Sequence, residues 1–278
     1  MSFTWRSATE PPAFTMTPAG YARLTLRGAV IGALMLSSVA GLLLLRLAER
    51  PLHGARRPWS GVVPQILGRA VLGGLGIRLR TEGRRMTQPG ALVANHASWL
   101  DIFVLDACAR IAFVAKSEVA GWPGIGFLAK IAGTVFVARD PRQARAQQDL
   151  LEAQLRAGRK LLIFPEATSS DGFRVLPFKS TLFQAFFSDA LRHEAQIQPV
   201  TVIYTAPPGQ DPRFYGWWGD MEFADHVVRV LAAPAGGVAR VVFHPPVRVA
   251  DFASRKALAA HLAGLVRAGM PPDRRAMA

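Results

Sequence analysis

The chain has 278 residues, half of them apolar, and its 33 Lys and Arg against 19 Asp and Glu give a formal charge of +14. That length holds one sizeable α/β domain plus an appended element, the apolar half excludes a disordered chain, and a single cysteine, Cys108, excludes an intrachain disulfide. The basic residues are scattered among apolar runs rather than gathered into a basic helix or an aromatic-interleaved stripe. This argues against nucleic acid and for an anionic membrane surface, where each Lys or Arg contributes about 1 kcal/mol.

In chain order the first element is an apolar run over 28–45, eighteen residues without a charge, bounded by Arg27 and Arg46. At about 1.5 Å per residue it spans about 27 Å, just under the hydrocarbon thickness of a bilayer, so a membrane helix is expected. A secretory signal is disfavoured, because a long polar stretch precedes the run and Arg46, Arg50, Arg56 and Arg57 stand where a small-residue cleavage site belongs. The run 59–76 is weakly amphipathic and suits an interfacial helix or the second arm of a re-entrant hairpin. Arginines flank the first helix on both sides, so charge alone sets no orientation. Residues 1–75 are accordingly expected to anchor the chain in a bacterial-type inner membrane, with the rest on its cytoplasmic side.

After Arg80, short β-branched runs alternate with helical stretches. Strands are expected at 76–81, 91–95, 111–115, 134–138, 160–164, 197–204 and 239–243. Helices are expected at 98–109, 122–131, 142–157, 179–190, 221–233 and 254–268. Such alternation predicts an α/β domain over 76–269 with a largely parallel central sheet flanked by helices, and sites at the carboxyl ends of its strands. Residues 270–278 read as a frayed tail.

At the end of the second strand stands Asn95-His96-Ala97-Ser98-Trp99-Leu100-Asp101. Ser98-x-x-Asp101 reads as a capping box opening the helix 98–109, which leaves His96 on a strand-to-helix turn. An imidazole with a carboxylate five positions on is what a general base needs, although the same residues suit a plain helix cap. Gly133-Thr134-Val135-Phe136-Val137-Ala138-Arg139 then ends a strand in an arginine whose fork of donors suits a phosphate or carboxylate, unless it only pairs with Asp140 at the surface. Finally, Leu161-Leu162-Ile163-Phe164-Pro165-Glu166-Ala167-Thr168-Ser169-Ser170 places Glu166, Thr168 and Ser169 in a polar turn just past a strand end.

In this order and spacing the blocks resemble the glycerophospholipid acyltransferase family, over about residues 75–250. Asn95, His96 and Asp101 match its Asn-His-x-x-x-x-Asp, and Gly133, Phe136 and Arg139 match its Gly-x-x-Phe-x-x-Arg. Phe164, Pro165, Glu166, Thr168 and Ser170 match Phe-Pro-Glu-Gly-Thr-Arg-Ser, Pro199 matches the fourth motif, and Lys116-Ser117-Glu118 with Trp122-Pro123 resembles the intervening segment. The resemblance implies a glycerol-3-phosphate acyltransferase-like fold and catalysis by His96 and Asp101. It places substrate contacts at Lys116, Phe136, Arg139, Glu166, Thr168 and Ser169, and it implies no metal and no bound cofactor. The co-substrate it implies is acyl-CoA or acyl-acyl carrier protein, and the acceptor a lysolipid, in the first place 1-acyl-glycerol-3-phosphate. Two departures stand out: Ala167 where the family has Gly, and Ser169 where many members have Arg. The pattern Phe-Pro-Glu-x-Thr-x-Ser-Asp-Gly over 164–172, together with the segment Trp217-Trp218-Gly219-Asp220-Met221, resembles the branch that acylates lyso-ornithine lipid. A thioester hydrolase and an inactive lipid-binding protein are the remaining alternatives.

Acyl transfer from a thioester to an alcohol needs a base, a hole for the oxyanion and alignment of two reactants. An imidazole of ordinary pKa is largely neutral at physiological pH, so His96 suits the base and Asp101 its orienting partner. No Ser or Cys nucleophile is required, and donors near 166–169 or Lys116 are the candidate oxyanion stabilisers.

Overall fold

The computed structural model describes residues 4–9, 14–54, 57–88, 90–137 and 144–275. A mixed eight-stranded sheet forms its middle layer, from β1 (Arg78–Gly83), β2 (Gly90–Ala94), β3 (Ala112–Lys116), β4 (Val135–Val137), β5 (Lys160–Ile163), β6 (Gln196–Thr205), β7 (Val238–Phe243) and β8 (Val247–Arg248). Their order is β1-β7-β6-β2-β5-β3-β4, with β8 also on β6. All neighbours are parallel except β6 with β7 and β6 with β8. The expected α/β class with a largely parallel sheet therefore holds. β2 lies between β5 and β6 and is buried along its whole length, which is why Gly90-Ala91-Leu92-Val93-Ala94 reads as an unbroken apolar run.

Pro199 sits inside β6 opposite Val93. Its carbonyl accepts from His244 N–H at 3.0 Å, on the side where β6 changes partner from β8 to β7. The N–H that proline lacks falls in that break of the ladder, so the strand loses no bond.

On one face of the sheet α2 (Val63–Gly74), α3 (Leu100–Cys108) and α6 (Phe223–Ala232) bury a core that includes Leu72, Val104 and Val230. The opposite face is covered by α5 (Ala144–Arg156) and α7 (Arg255–Ala268), through Leu151, Leu155, Leu258 and Leu262. α2 and α3 cross closely at Gly68, where an added Cβ would lie 2.5 Å from Phe103 O. Three expectations change. The helix expected at 122–131 is α4 (Ile125–Ala132), preceded by a 3-10 turn at Ser117–Gly121. The stretch 179–190 forms a 3-10 helix over Ser180–Phe187, in which the buried Phe183 and Phe186, three residues apart, share one edge at three residues per turn. Residues 270–275 do not fray, because Met270 is fully buried, Pro272–Arg275 forms the short α8, and Arg274 lies 3.8 Å over the Phe173 ring.

The amino-terminal helix α1 (Pro18–His53) is twice the length of the apolar run that announced it. Thr17 caps it by accepting from Gly20 N–H at 3.0 Å, and Pro18 occupies the first turn, where its missing donor is harmless. By length and composition it is long and apolar enough to cross a membrane. Leu26, Val30, Leu36, Leu43, Leu44, Leu47 and Leu52 are exposed along it, whereas Arg23, Arg27 and Glu49 turn inward. Arg23 donates to Ala232 O, and Arg27 to Leu231 O and Ala233 O, at 2.7–3.0 Å, which closes the orphan carbonyls at the end of α6. Glu49 accepts from Trp59 N–H, Ser60 N–H and Ser60 Oγ. The expected second membrane helix is shorter than 59–76: α2 packs on both α1 and α3, and its inner face buries Gly68, Val71 and Leu72.

Candidate active site

β2 ends at Ala94, and Asn95 continues its pairing with a side chain. The Asn95 amide donates to Val202 O at 2.9 Å and accepts from Val202 N–H at 2.8 Å, which locks the start of the turn to β6. His96 follows. Its Nδ1 lies 2.7 Å from Asp101 Oδ2, and the same oxygen accepts from Ala97 N–H at 2.8 Å and Ser98 N–H at 3.1 Å. Asp101 Oδ1 accepts from Tyr204 Oη at 2.7 Å. A fully buried carboxylate with this many donors stays an acceptor, so Nδ1 carries the hydrogen and Nε2 keeps its lone pair.

The expected capping box is half realised. Asp101 reaches back to Ser98 N–H, but Ser98 Oγ accepts from Leu100 N–H, and α3 begins at Leu100. The Ala97 and Ser98 amides just before the helix are therefore spent on Asp101, and that of Leu100 on Ser98 Oγ.

The turn that follows β5 supports the histidine turn. Glu166 Oε2 accepts from His96 N–H at 3.1 Å and Oε1 from Leu176 N–H at 3.0 Å, while Ser170 N–H donates to His96 O at 2.9 Å. Burial pushes the Glu166 carboxyl well above the usual carboxylate range against the pull of these two donors, and the Asp101 charge adds to the rise. The Phe164 ring stacks on the imidazole, with centroids 4.2 Å apart and planes 19° apart. Ala167 adopts φ +60, the one positive φ among the described non-glycine residues and the conformation a glycine takes without strain.

The sheet order sets the predicted residues side by side. His96 follows β2, Glu166, Thr168 and Ser169 follow the adjacent β5, Lys116 ends the next strand β3, and Phe136 lies in β4 opposite Ala115. Phe113 on β3 stacks against Phe164 at 6.1 Å, which links the edge pair to the imidazole. Arg139 lies outside the described residues. Among the described residues no group of three His, Cys, Asp or Glu is placed to hold a metal ion.

Sequence reasoning missed Tyr204, whose hydroxyl meets Asp101 only because β6 neighbours β2. Burial and the Asp101 charge raise its pKa well above the phenol range, so it remains a donor. It also missed Trp99 and His226. Trp99 Nε1 donates to His226 Nδ1 at 2.8 Å, and burial together with Arg229 lowers His226 to about 4, which keeps it a neutral acceptor. One signal was available: Val200, Val202 and Tyr204 alternate along one face of an apolar strand, and a tyrosine there needs a partner for its hydroxyl.

Fold and site together define an α/β enzyme of the acyl-transfer class. The chain belongs to the acyltransferase family: a family model described as Acyltransferase matches residues 77–203. It is 53% identical over 266 residues, 96% of each chain, to a lyso-ornithine lipid O-acyltransferase of Rhodobacter capsulatus. A 1-acyl-sn-glycerol-3-phosphate acyltransferase of Neisseria meningitidis is 42% identical over 147 residues, 52% of this chain and 56% of its own. The crystal structure of the 1-acyl-sn-glycerophosphate acyltransferase from Thermotoga maritima superposes with a TM-score of 0.62, covering 90% of this chain and 95% of that one at 20% identity, and bears out the fold.

Proposed function

We propose that this enzyme moves a fatty acyl group from a thioester, on coenzyme A or acyl carrier protein, to the free hydroxyl of a lysolipid, with His96 as general base. The observation that carries the reading is the 2.7 Å contact from His96 Nδ1 to the buried Asp101, which leaves Nε2 as the one basic atom of the turn. Nε2 takes the hydroxyl proton as the oxygen attacks the thioester carbonyl. The tetrahedral intermediate collapses with cleavage of the C–S bond, and the imidazolium returns the proton to the departing thiolate. Ala167 N–H is spent on Phe164 O and Ser170 N–H on His96 O, so the Thr168 and Ser169 amides are the donors of this turn proposed to stabilise the oxyanion, with Lys116 at the end of the nearby β3 as a further candidate. Phe136, in the edge strand β4, is proposed for the acceptor side, and Arg139, outside the described residues, is proposed with it on its motif alone.

Lyso-ornithine lipid is the favoured acceptor. The match to the Rhodobacter capsulatus enzyme runs nearly end to end, and Ser169 adds no charge for a phosphate. 1-Acyl-glycerol-3-phosphate is the second reading, supported by the Neisseria meningitidis relative. The exposed apolar side of α1 holds the enzyme at the bilayer where both lipids reside, with the catalytic domain on the cytoplasmic side. Purified His96→Ala is expected to lose 10²–10⁴-fold in turnover while it stays membrane-bound. Wild-type turnover in that variant removes the general-base role, and mass spectrometry of products from the two acceptors in competition decides between them.

A further inference from the structure

Residues 4–9 precede α1 in sequence yet pack on the turn that follows β5 and on the loop around Gly219. Trp5 N–H donates to Thr168 Oγ1 at 3.4 Å, and Trp5 O accepts from Gly219 N–H at 3.1 Å. Both partners belong to loops fastened to the histidine turn, since Ser170 N–H donates to His96 O at 2.9 Å and Trp217 N–H to Ala97 O at 2.8 Å. The arm thus bridges two loops that hang from adjacent residues of that turn. Arg6 with Asp220 at 2.9 Å and Arg213 with Thr9 at 2.6 Å are exposed contacts that contribute little, so the seating of the arm rests on Trp5.

The Trp5 ring lies beneath Arg174, whose guanidinium carbon is 4.8 Å from the ring centroid. Asp171, almost wholly buried, turns Arg174 by accepting from Nε at 3.2 Å and from Nη2 at 3.1 Å. Nη1 has no partner among the described residues and remains a donor for a ligand. A dianionic phosphomonoester wants a surplus of positive charge, and at this pair Asp171 cancels Arg174, so the pair itself supplies none. A head group that carries both a carboxylate and an ammonium fits the pair: the carboxylate on Nη1, the ammonium against the field of Asp171 and the π face of an indole.

We propose that residues 4–9 form one wall of the acceptor head-group site, in which Trp5 and Arg174 hold a zwitterionic amino-acid head group beside His96. This rests on the lysolipid reading above. The test is steady-state kinetics of the full chain in mixed micelles, with lyso-ornithine lipid or 1-acyl-glycerol-3-phosphate as acceptor and one fixed thioester donor. Trp5→Ala is expected to raise KM for lyso-ornithine lipid tenfold or more, to leave the donor KM unchanged and to narrow the preference over the phosphate acceptor. Trp5→Phe is expected to restore most of the loss, and Arg174→Gln to repeat the Trp5→Ala result. An unchanged acceptor KM in Trp5→Ala overturns the proposal, and so does a parallel rise in both KM values with a fall in Tm, which marks a structural role. A wild-type enzyme that acylates neither lipid defeats the proposed function itself, and that result is read before any variant is made.

Discussion

The histidine turn and helix α1 solve opposite problems with the same residue types. At the turn, Asn95, Asp101 and Glu166 are buried and each is met by hydrogen-bond donors from the protein, so polar groups stand inside an apolar domain without unmet bonds. Along α1 the apolar side chains face outward, while Arg23, Arg27 and Glu49 turn toward the domain. The contrast teaches that burial follows the surround a surface is built for: a helix with this much exposed apolar surface is suited to an apolar neighbour, as the proposed membrane anchor requires.

Breaking the buried carboxylate is expected to have the largest effect. Asp101→Asn puts amide hydrogens against Ala97 N–H, Ser98 N–H or Tyr204 Oη and removes the anchor of Nδ1, so turnover is expected to fall by about 10³-fold with about 2–4 kcal/mol lost from unfolding free energy. Single-turnover rates and denaturant titration check both. On the other side of the comparison, Leu44→Lys on the outer face of α1 is expected to weaken membrane partition by about 3 kcal/mol and leave domain stability within about 0.5 kcal/mol, read from vesicle flotation and Tm in detergent.

His226 sharpens the picture from within the folded domain. Its folded pKa of about 4 lies below the ordinary 6.5, so between those values the unfolded chain binds a proton that the folded chain refuses. Stability is therefore complete above pH 6.5 and is lost as the pH falls toward 4, by up to about 3 kcal/mol. His226→Gln, which keeps an acceptor for Trp99 Nε1, is expected to flatten that acid limb in Tm measured from pH 8 to pH 5. The smallest effect is expected at Ala167, where glycine relieves the positive φ and raises unfolding free energy by about 1 kcal/mol, while Ala167→Val lowers it.

Elements with a strong local pattern were legible early. The buried run of β2, the alternation after Arg80 and the apolar core of α1 each follow from neighbours in sequence, and the pairing of His96 with Asp101 spans a single turn. The 3-10 geometry of Ser180–Phe187 was not, because apolar residues spaced by three suit either helix until the packing of Phe183 and Phe186 decides. Met270 reads as tail in the sequence because its burial depends on residues distant along the chain, Val175 and Ile203, besides the nearby Val266.

The sequence alone therefore determined the class of fold, the closeness of His96 to Asp101 and a long apolar helix near the amino terminus, since all three rest on short-range periodicity and spacing. Only the tertiary structure decided which strands are neighbours, and with that everything that depends on contacts across the sheet. Tyr204 on Asp101, Glu166 on the His96 amide and Trp5 on Thr168 join residues 70 to 163 positions apart. Such contacts exist because strand order brings β6, β2 and β5 together, and no local pattern in the chain encodes that order.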